Sequence, residues 1–307
     1  MEILLQQIIN GLVQGSVYAL VALGYTMVYG ILGLINFAHG EVVMVGAMVA
    51  LMAINALLGA ALSPVLALLL GLLLAVAVCM ALGYTIERVA YRPLRNAPRL
   101  APLITAIGVS IVLQTLAMII WGREYHAFPQ LLPNASHSIG GAVIGEVQII
   151  IVLVAVLVML GLLALVHRTR LGRAMRAVAE NPSAAALMGV NINGVISTTF
   201  MVGSALAALA GVMVSANYGI VHYYMGFMLG LKAFTAAVLG GIGNLRGAML
   251  GGVLLGLIES LGAGYIGGLT GGVFGSNYQD VFAFMVLIAV LIFRPSGLLG
   301  ERVAERA

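Results

Sequence analysis

His167–Gly194 reads HRTRLGRAMRAVAENPSAAALMGVNING, and its character decides how the rest of the chain is read. Arg168, Arg170, Arg173 and Arg176 follow directly on a fully apolar run. A broken, short-helix pattern comes next, before another apolar run begins. Leu171–Ala179 reads as a basic amphipathic helix. Asn181 is a good N-cap, Pro182 a favoured first helical residue and Gly189 a C-terminal stop. The pattern predicts a separate short helix, Pro182–Met188, on an arginine-rich stem. It leaves Leu187, Met188 and Val190 without an obvious burial site. An apolar helix of this kind suits insertion into a groove on a partner, or alternatively a bed of anionic lipid headgroups. The stretch is read as a cytoplasmic docking loop, and everything around it as membrane-spanning scaffold.

Composition agrees. Of 307 residues, 62% are hydrophobic and 8% charged, against about 25% charged in soluble domains. Such a chain has too little polar surface for water, so lipid must be its main solvent. Its 40 glycines fit closely packed membrane helices. The net charge of +4 does not point to nucleic acid, because the arginines sit in short loops beside apolar runs. Cys79, the one cysteine, excludes an internal disulfide and a cysteine-rich metal site. Met1-Glu2 carries no basic leader region, so the first apolar run is expected to be retained.

A span needs about 20 apolar residues. Ile3–Ile35 is longer than one span and is expected to break near Gly30–Gly33. Val42–Leu58, Val65–Tyr84, Ala101–Trp121, Val147–Val166 and Val195–Ala216 each suffice for one. Phe227–Gly240, Ala248–Leu261 and Val281–Phe293 complete the series. Gly122–Glu146 is a polar connector, and Asn217–Gly226 a short aromatic one. Gly203, Ala207 and Gly211 recur every four residues, which puts small residues on one helix face for close packing. The expected fold is an all-α polytopic helix bundle of about eight to ten spans in one transmembrane domain, 1–307, with broken or re-entrant segments and a cytoplasmic coupling helix.

Every arginine except Arg123 lies in Arg88–Arg99, Arg168–Arg176, Arg246 or the Arg294–Arg306 tail. The positive-inside rule assigns those stretches, and with them the C-terminus, to the cytoplasm. The sidedness of the N-terminus stays open. It depends on whether the first long run is one helix or two.

No catalytic constellation appears. Lys232, the one lysine, follows Leu231, so there is no phosphate-binding G-x-x-x-x-G-K loop, and no H-E-x-x-H, C-x-x-C or G-x-S-x-G either. The ionisable groups inside apolar runs, His39, Glu41, Lys232 and Glu259, read as few and scattered, unlike the paired groups of ion-driven carriers. Lys232 is expected to snorkel to an interface, with a pore-lining position as the other reading. Glu259 is expected to face the protein interior, and His126, His137 and His222 to be solvated. Gly240, Gly241 and Gly243 read as a helix-to-helix turn. The chain is therefore expected to be no enzyme and to draw its energy from another subunit.

GYTMVYGILGLINFAHGEV at Gly24–Val42, IERVAYRPLR at Ile86–Arg95, LGRAMRAVAENPSAAALMGVN at Leu171–Asn191, KAFTAAVLGGIGNLRGAMLGG at Lys232–Gly252 and RPSGLLG at Arg294–Gly300 together resemble the high-affinity branched-chain amino-acid permeases of ABC importers, LivH type. The resemblance implies a pore shared with a second, related permease subunit in the bacterial inner membrane. It implies two cytoplasmic ATPases that use ATP and Mg, no cofactor on this chain, and a periplasmic binding protein that delivers leucine, isoleucine or valine. Permeases for urea or short amides are similar, and an ion-coupled secondary transporter is the competing class. In ABC importers the permease meets its ATPase through an E-A-A…G loop. Glu180, Ala184, Ala185 and Gly189 resemble that loop, with Asn181-Pro182-Ser183 interposed. The residues expected to couple to the ATPase are Arg173, Arg176, Glu180, Asn181, Pro182, Ala184, Ala185, Leu187, Met188 and Gly189.

The polar stretch Asn36–Glu41 has two readings. At membrane depth, a broken segment exposes backbone groups that could meet the ammonium and carboxylate of an amino acid. Alternatively, Asn36 caps the following helix and Glu41 sits favourably in its first turn. The expected substrate pathway includes Asn36, His39, Glu41, Gly240 and Gly241.

Overall fold

Glycine spacing determines which helices touch. In the computed structural model, which describes residues 2–95, 97–98, 100–132, 135–271 and 278–300, each apolar run forms one helix. Arg99, Pro133 and the 301–307 tail, read above from sequence, lie outside the described residues. The helices are α1 (Glu2–Leu32), α2 (His39–Gly59), α3 (Pro64–Ile86), α4 (Leu100–Trp121), α5 (Glu146–Arg168), α6 (Arg170–Glu180), α7 (Pro182–Leu187), α8 (Ile192–Tyr218), α9 (Met225–Gly240), α10 (Leu245–Leu269) and α11 (Gln279–Phe293). α3 runs on through a π-turn, Glu87–Tyr91, and a 3₁₀ turn, Arg92–Leu94. Among the described residues, seven helices are long and apolar enough to cross a membrane. α9 and α11, at 16 and 15 residues, reach only about 24 and 22 Å, less than the ~30 Å hydrocarbon core. The chain is a multi-pass, all-α membrane protein.

α1 and α10 form the central pair. Gly11 and Gly15 of α1 lie against Leu257, Gly256, Val253 and Gly252 of α10, so that a Cβ on either face would meet backbone. A second glycine face on α10, Gly247 and Gly251, receives Gly240 and Ala236 of α9. In lipid no hydrophobic force drives helices together, so close backbone contact of this kind has to supply much of the adhesion. The stripe expected on α8 does the same. Gly211 packs on Val43 and Ala47 of α2, Gly203 faces Gly24 of α1, and Ala207 is fully buried. α3, α4 and α5 turn large apolar side chains outward, among them Leu73, Ile104, Ile119 and Leu157.

The break in the first apolar run falls at the end of the expected Gly30–Gly33 stretch. α1 continues through Gly30 and Ile31 to Leu32, and only at Gly33, with φ +64°, does the chain leave the helix. Residues 33–38 then lead to α2. α1 is one helix, so its start lies far along the bundle from the break at residues 33–38. Gln6 on α1 bonds both to the Val143 carbonyl (3.0 Å) and from the Val143 amide (2.7 Å). That places the start of the chain beside the 122–146 connector, at the end opposite the arginine clusters. At the arginine end, the Leu298 and Leu299 amides donate to the Leu239 and Gly240 carbonyls, both at 2.9 Å.

The connector holds structure that composition alone did not suggest. β2 (Ser136–Ile139) and β3 (Ala142–Gly145) form a hairpin through Gly140 and Gly141. Both turn residues have positive φ, as a two-residue turn matched to strand twist requires. β1 (His126–Ala127) pairs antiparallel with β4 (Ile220–Val221), tying this connector to the one after α8. His126 and His222 are not simply solvated there. The first bonds to the Trp121 carbonyl at 2.8 Å, and the second stacks on Tyr125 at 4.3 Å.

Candidate functional site

Residues 33–38 end α1 and start α2 inside the bundle. Asn36 is 4% exposed. Its Oδ1 accepts from the Ala38 amide (3.2 Å) and from the Tyr91 hydroxyl (3.0 Å). It is not the helix cap: Ala38 holds that position, and no side chain caps α2. Asn36 organises the turn before the helix instead. His39 enters the space left by Gly24 and Gly203, with its ring edge-on to Tyr25 at 4.8 Å. Glu41 is in the first turn of α2, where the helix amides favour an acidic group. Its Oε1 accepts from Ser110 (3.2 Å) and Gln114 (2.6 Å) on α4. Among the described residues, its Oε2 and His39 Nε2 are buried without a hydrogen-bond partner. Asn36, His39 and Glu41 are thus all buried beside the break, each with its own partners: Tyr91, Tyr25, and Ser110 with Gln114. Gly240 and Gly241 sit elsewhere, at the arginine end, against Gly247 and the 297–300 segment.

The intramembrane charges are not scattered. Lys232 Nζ lies 3.3 Å from Glu259 Oε2 and 2.7 Å from Asp280 Oδ1, with its side chain 11% exposed. Tyr18 donates to the same Glu259 oxygen at 2.8 Å. Lys232 therefore does not snorkel: two carboxylates hold it inside the bundle, joining α1, α9, α10 and α11. Glu259 faces the interior, as expected.

A second polar cluster was not visible as one in the sequence. The buried Glu87 carboxylate takes Arg92 (2.9 Å), Arg95 and the Ser197 hydroxyl (2.7 Å). Arg95 also bonds Asn193 at 2.6 Å. Two arginines read only as markers of sidedness thus fasten the end of α3 to the start of α8.

α6 and α7 form a handle at the arginine end. Thr169 caps α6 by accepting from the Gly172 amide (3.0 Å), and Asn181 caps α7 by accepting from Ala184 (3.0 Å), with Pro182 first in the helix. α6 buries Gly172, Met175 and Val178 on one face and leaves Arg173 in water. Gly172 allows the approach, since a Cβ there would strike the Leu165 and Val166 carbonyls. Arg176 donates to the Val166 carbonyl. Glu180 ends α6, whereas Ala184 and Ala185 lie on α7, so the E-A-A…G residues are divided between two helices. α7 stops one residue short of Met188, and Gly189, φ +81°, turns the chain away. Ala185 is buried, but Leu187 and Met188 are 90% and 84% exposed. Next to the handle, a cavity of about 880 Å³ lies between the end of α1 (Tyr29–Gly33), Arg176 and the Gly243–Arg246 turn. At the opposite end, a cavity of about 570 Å³ lies beneath the connector, lined by Phe128, Gln148 and Asn217 among others.

A polytopic helix bundle with broken segments, cavities at both ends and an exposed helical handle defines a membrane permease. Residues 7–291 match the family described as branched-chain amino acid transport system / permease component, and the chain belongs to that family. It is 51% identical to the high-affinity branched-chain amino acid transport system permease protein BraD of Pseudomonas aeruginosa, covering 98% of this chain and 97% of the relative. Identity to LivH of Escherichia coli is 46% with the same coverage. A probable branched-chain amino acid transport permease protein LivH of Methanocaldococcus jannaschii is 28% identical over 95% of this chain and 91% of its own length. No solved structure matches.

Proposed function

We propose that this chain is the non-catalytic translocation subunit of an ATP-driven importer for branched-chain amino acids. The observation that carries the reading is the handle: a capped helix presenting Leu187 and Met188 almost fully to solvent at the arginine end. Soluble surfaces rarely leave adjacent large apolar residues so bare without a partner. The partner is a cytoplasmic ATPase, one of two, which binds ATP and Mg while this chain binds no cofactor. Arg173, Arg176, Glu180 and Asn181–Gly189 form the contact.

The pore is completed by a second permease subunit. The outward apolar faces of α3, α4 and α5 suit either that subunit or membrane lipid. A periplasmic binding protein docks at the connector end and delivers leucine, isoleucine or valine. The arginine end, with the C-terminal segment beside it, is the cytoplasmic side of the bacterial inner membrane. Solute passes by the break at residues 33–38, where Asn36, His39 and Glu41 present buried polar groups.

The Lys232–Glu259–Asp280 cluster, with its Glu259 buried, favours one other reading, an ion-coupled carrier. Reconstitution separates the two. The expected result is radiolabelled leucine uptake into proteoliposomes only when this chain is combined with the ATPases, a second permease, binding protein and ATP. Uptake by this chain alone under an ion gradient would overturn the importer reading.

A further inference from the structure

A cavity of about 240 Å³ lies between α1, α8, α9 and α11, at the connector end of the bundle. It shares Asn217 and Tyr218 with the larger cavity beneath the connector, so a solute arriving there meets it next. Its walls are of two kinds. Val13, Val17, Val214 and Leu229 are apolar, and Lys232 and Gln14, with Asn217 and Gln279, are polar. That division matches an aliphatic amino acid, whose two charges are at one end and whose branched hydrocarbon is at the other.

The charges are arranged for such a head group. An ammonium has three N–H donors, and Glu259 and Asp280 occupy two of the directions around Lys232 Nζ. Among the described residues these are its two ion pairs, which leaves one N–H to offer a carboxylate in the cavity that Lys232 lines. The cluster holds two carboxylates against one ammonium, and this excess negative charge attracts the solute's own ammonium. Gln14 gives its amide N–H groups to the hydroxyls of Tyr18 (3.0 Å) and Tyr218 (3.4 Å). What its amide has left to offer is the carbonyl oxygen, an acceptor suited to an ammonium.

We propose that this cavity is a binding site on the permease itself for a zwitterionic aliphatic amino acid, with the head group at Lys232 and Gln14 and the side chain against Val13, Val17, Val214 and Leu229. The proposal rests on the importer reading above and names where the solute pauses after release from its carrier.

The test uses the complete transporter in lipid nanodiscs. Cys79 is buried, so a Val214→Cys variant places a single accessible thiol in the cavity. Asn217→Cys serves the same purpose if the first does not assemble. Millimolar leucine should slow labelling by a small methanethiosulfonate reagent about tenfold, equivalent to ~1.4 kcal/mol. Leucinol, lacking the carboxylate, and 4-methylpentanoate, lacking the ammonium, should protect far less. Equal labelling with and without leucine, in a complex that still transports leucine, would overturn the site and leave the importer reading intact. Equal protection by all three compounds would overturn the head-group assignment and with it the proposal. Failure of the unmodified complex to transport leucine would overturn the importer reading, and the site with it.

Discussion

Tyr91 and Asn36, 55 residues apart, meet at 3.0 Å, the tyrosine hydroxyl donating to the asparagine Oδ1. The contact ties the break between α1 and α2 to the π-turn at the end of α3, four residues from the Glu87 carboxylate that Arg92 and Arg95 hold. The polar break and the arginine end are thus linked through one phenol, whose ring also packs on Phe200 at 5.2 Å. Tyr91→Phe keeps the ring and removes the hydroxyl. It should lower stability by about 1 kcal/mol, read as a fall in the thermal midpoint in detergent, and should reduce leucine uptake by the assembled transporter. Unchanged uptake would show that the break tolerates a looser Asn36.

Leu187→Asp tests the handle. The side chain is 90% exposed, so the substitution leaves this chain's own packing alone. Placing a charge at the centre of an apolar interface typically costs about 2 kcal/mol or more. Co-purification of the ATPase should be lost while the protein still inserts in the membrane and keeps its monodisperse elution in detergent. Retained co-purification would remove α7 from the docking surface.

Lys232→Met, at the middle of α9, should be strongly damaging. It strands Glu259 and Asp280, and breaking a buried ion pair from one side costs about 3–5 kcal/mol. Low yield and a depressed thermal midpoint are expected, with partial recovery when Glu259→Gln is added. Normal stability of the single variant would mean that the pair contributes little to holding α9 against α10.

Glycines divide into two groups. A Cβ at Gly256 would meet the backbone of Gly15, whereas one at Gly161 meets nothing within 4 Å. Gly256→Val should prevent folding. Gly161→Ala should raise the thermal midpoint, since alanine is favoured over glycine in a helix by about 1 kcal/mol. Equal tolerance at the two positions would disprove the proposed α1–α10 contact.

The long spans, the basic handle and its caps were legible in the sequence because each depends on local pattern: apolar length, Asn181 before Pro182, Gly189 after Met188. What escaped depends on packing. Lys232 and Glu259 are 27 residues apart, and only the glycine-driven closeness of α9 and α10 lets their charges meet. Glu87 and its arginines looked like loop charges because the burial of Glu87 against Ser197 is set by α8, far along the chain. The hairpin did leave a signal in Gly140-Gly141, but the surrounding connector is too irregular in polarity for strand alternation to show. Asn36 had the right residue type for a cap, and the chain took the cap two positions later.

Arg176 has one consequence beyond its place in the handle. Its guanidinium bonds the last-turn carbonyl of Val166, and its side chain also lines the large cavity at the arginine end. One residue therefore belongs to the lever, to its fulcrum and to the chamber wall. On the proposed importer reading, a push on α6 from outside would need no linker or relay to reach whatever occupies the chamber, because the same side chain stands in both.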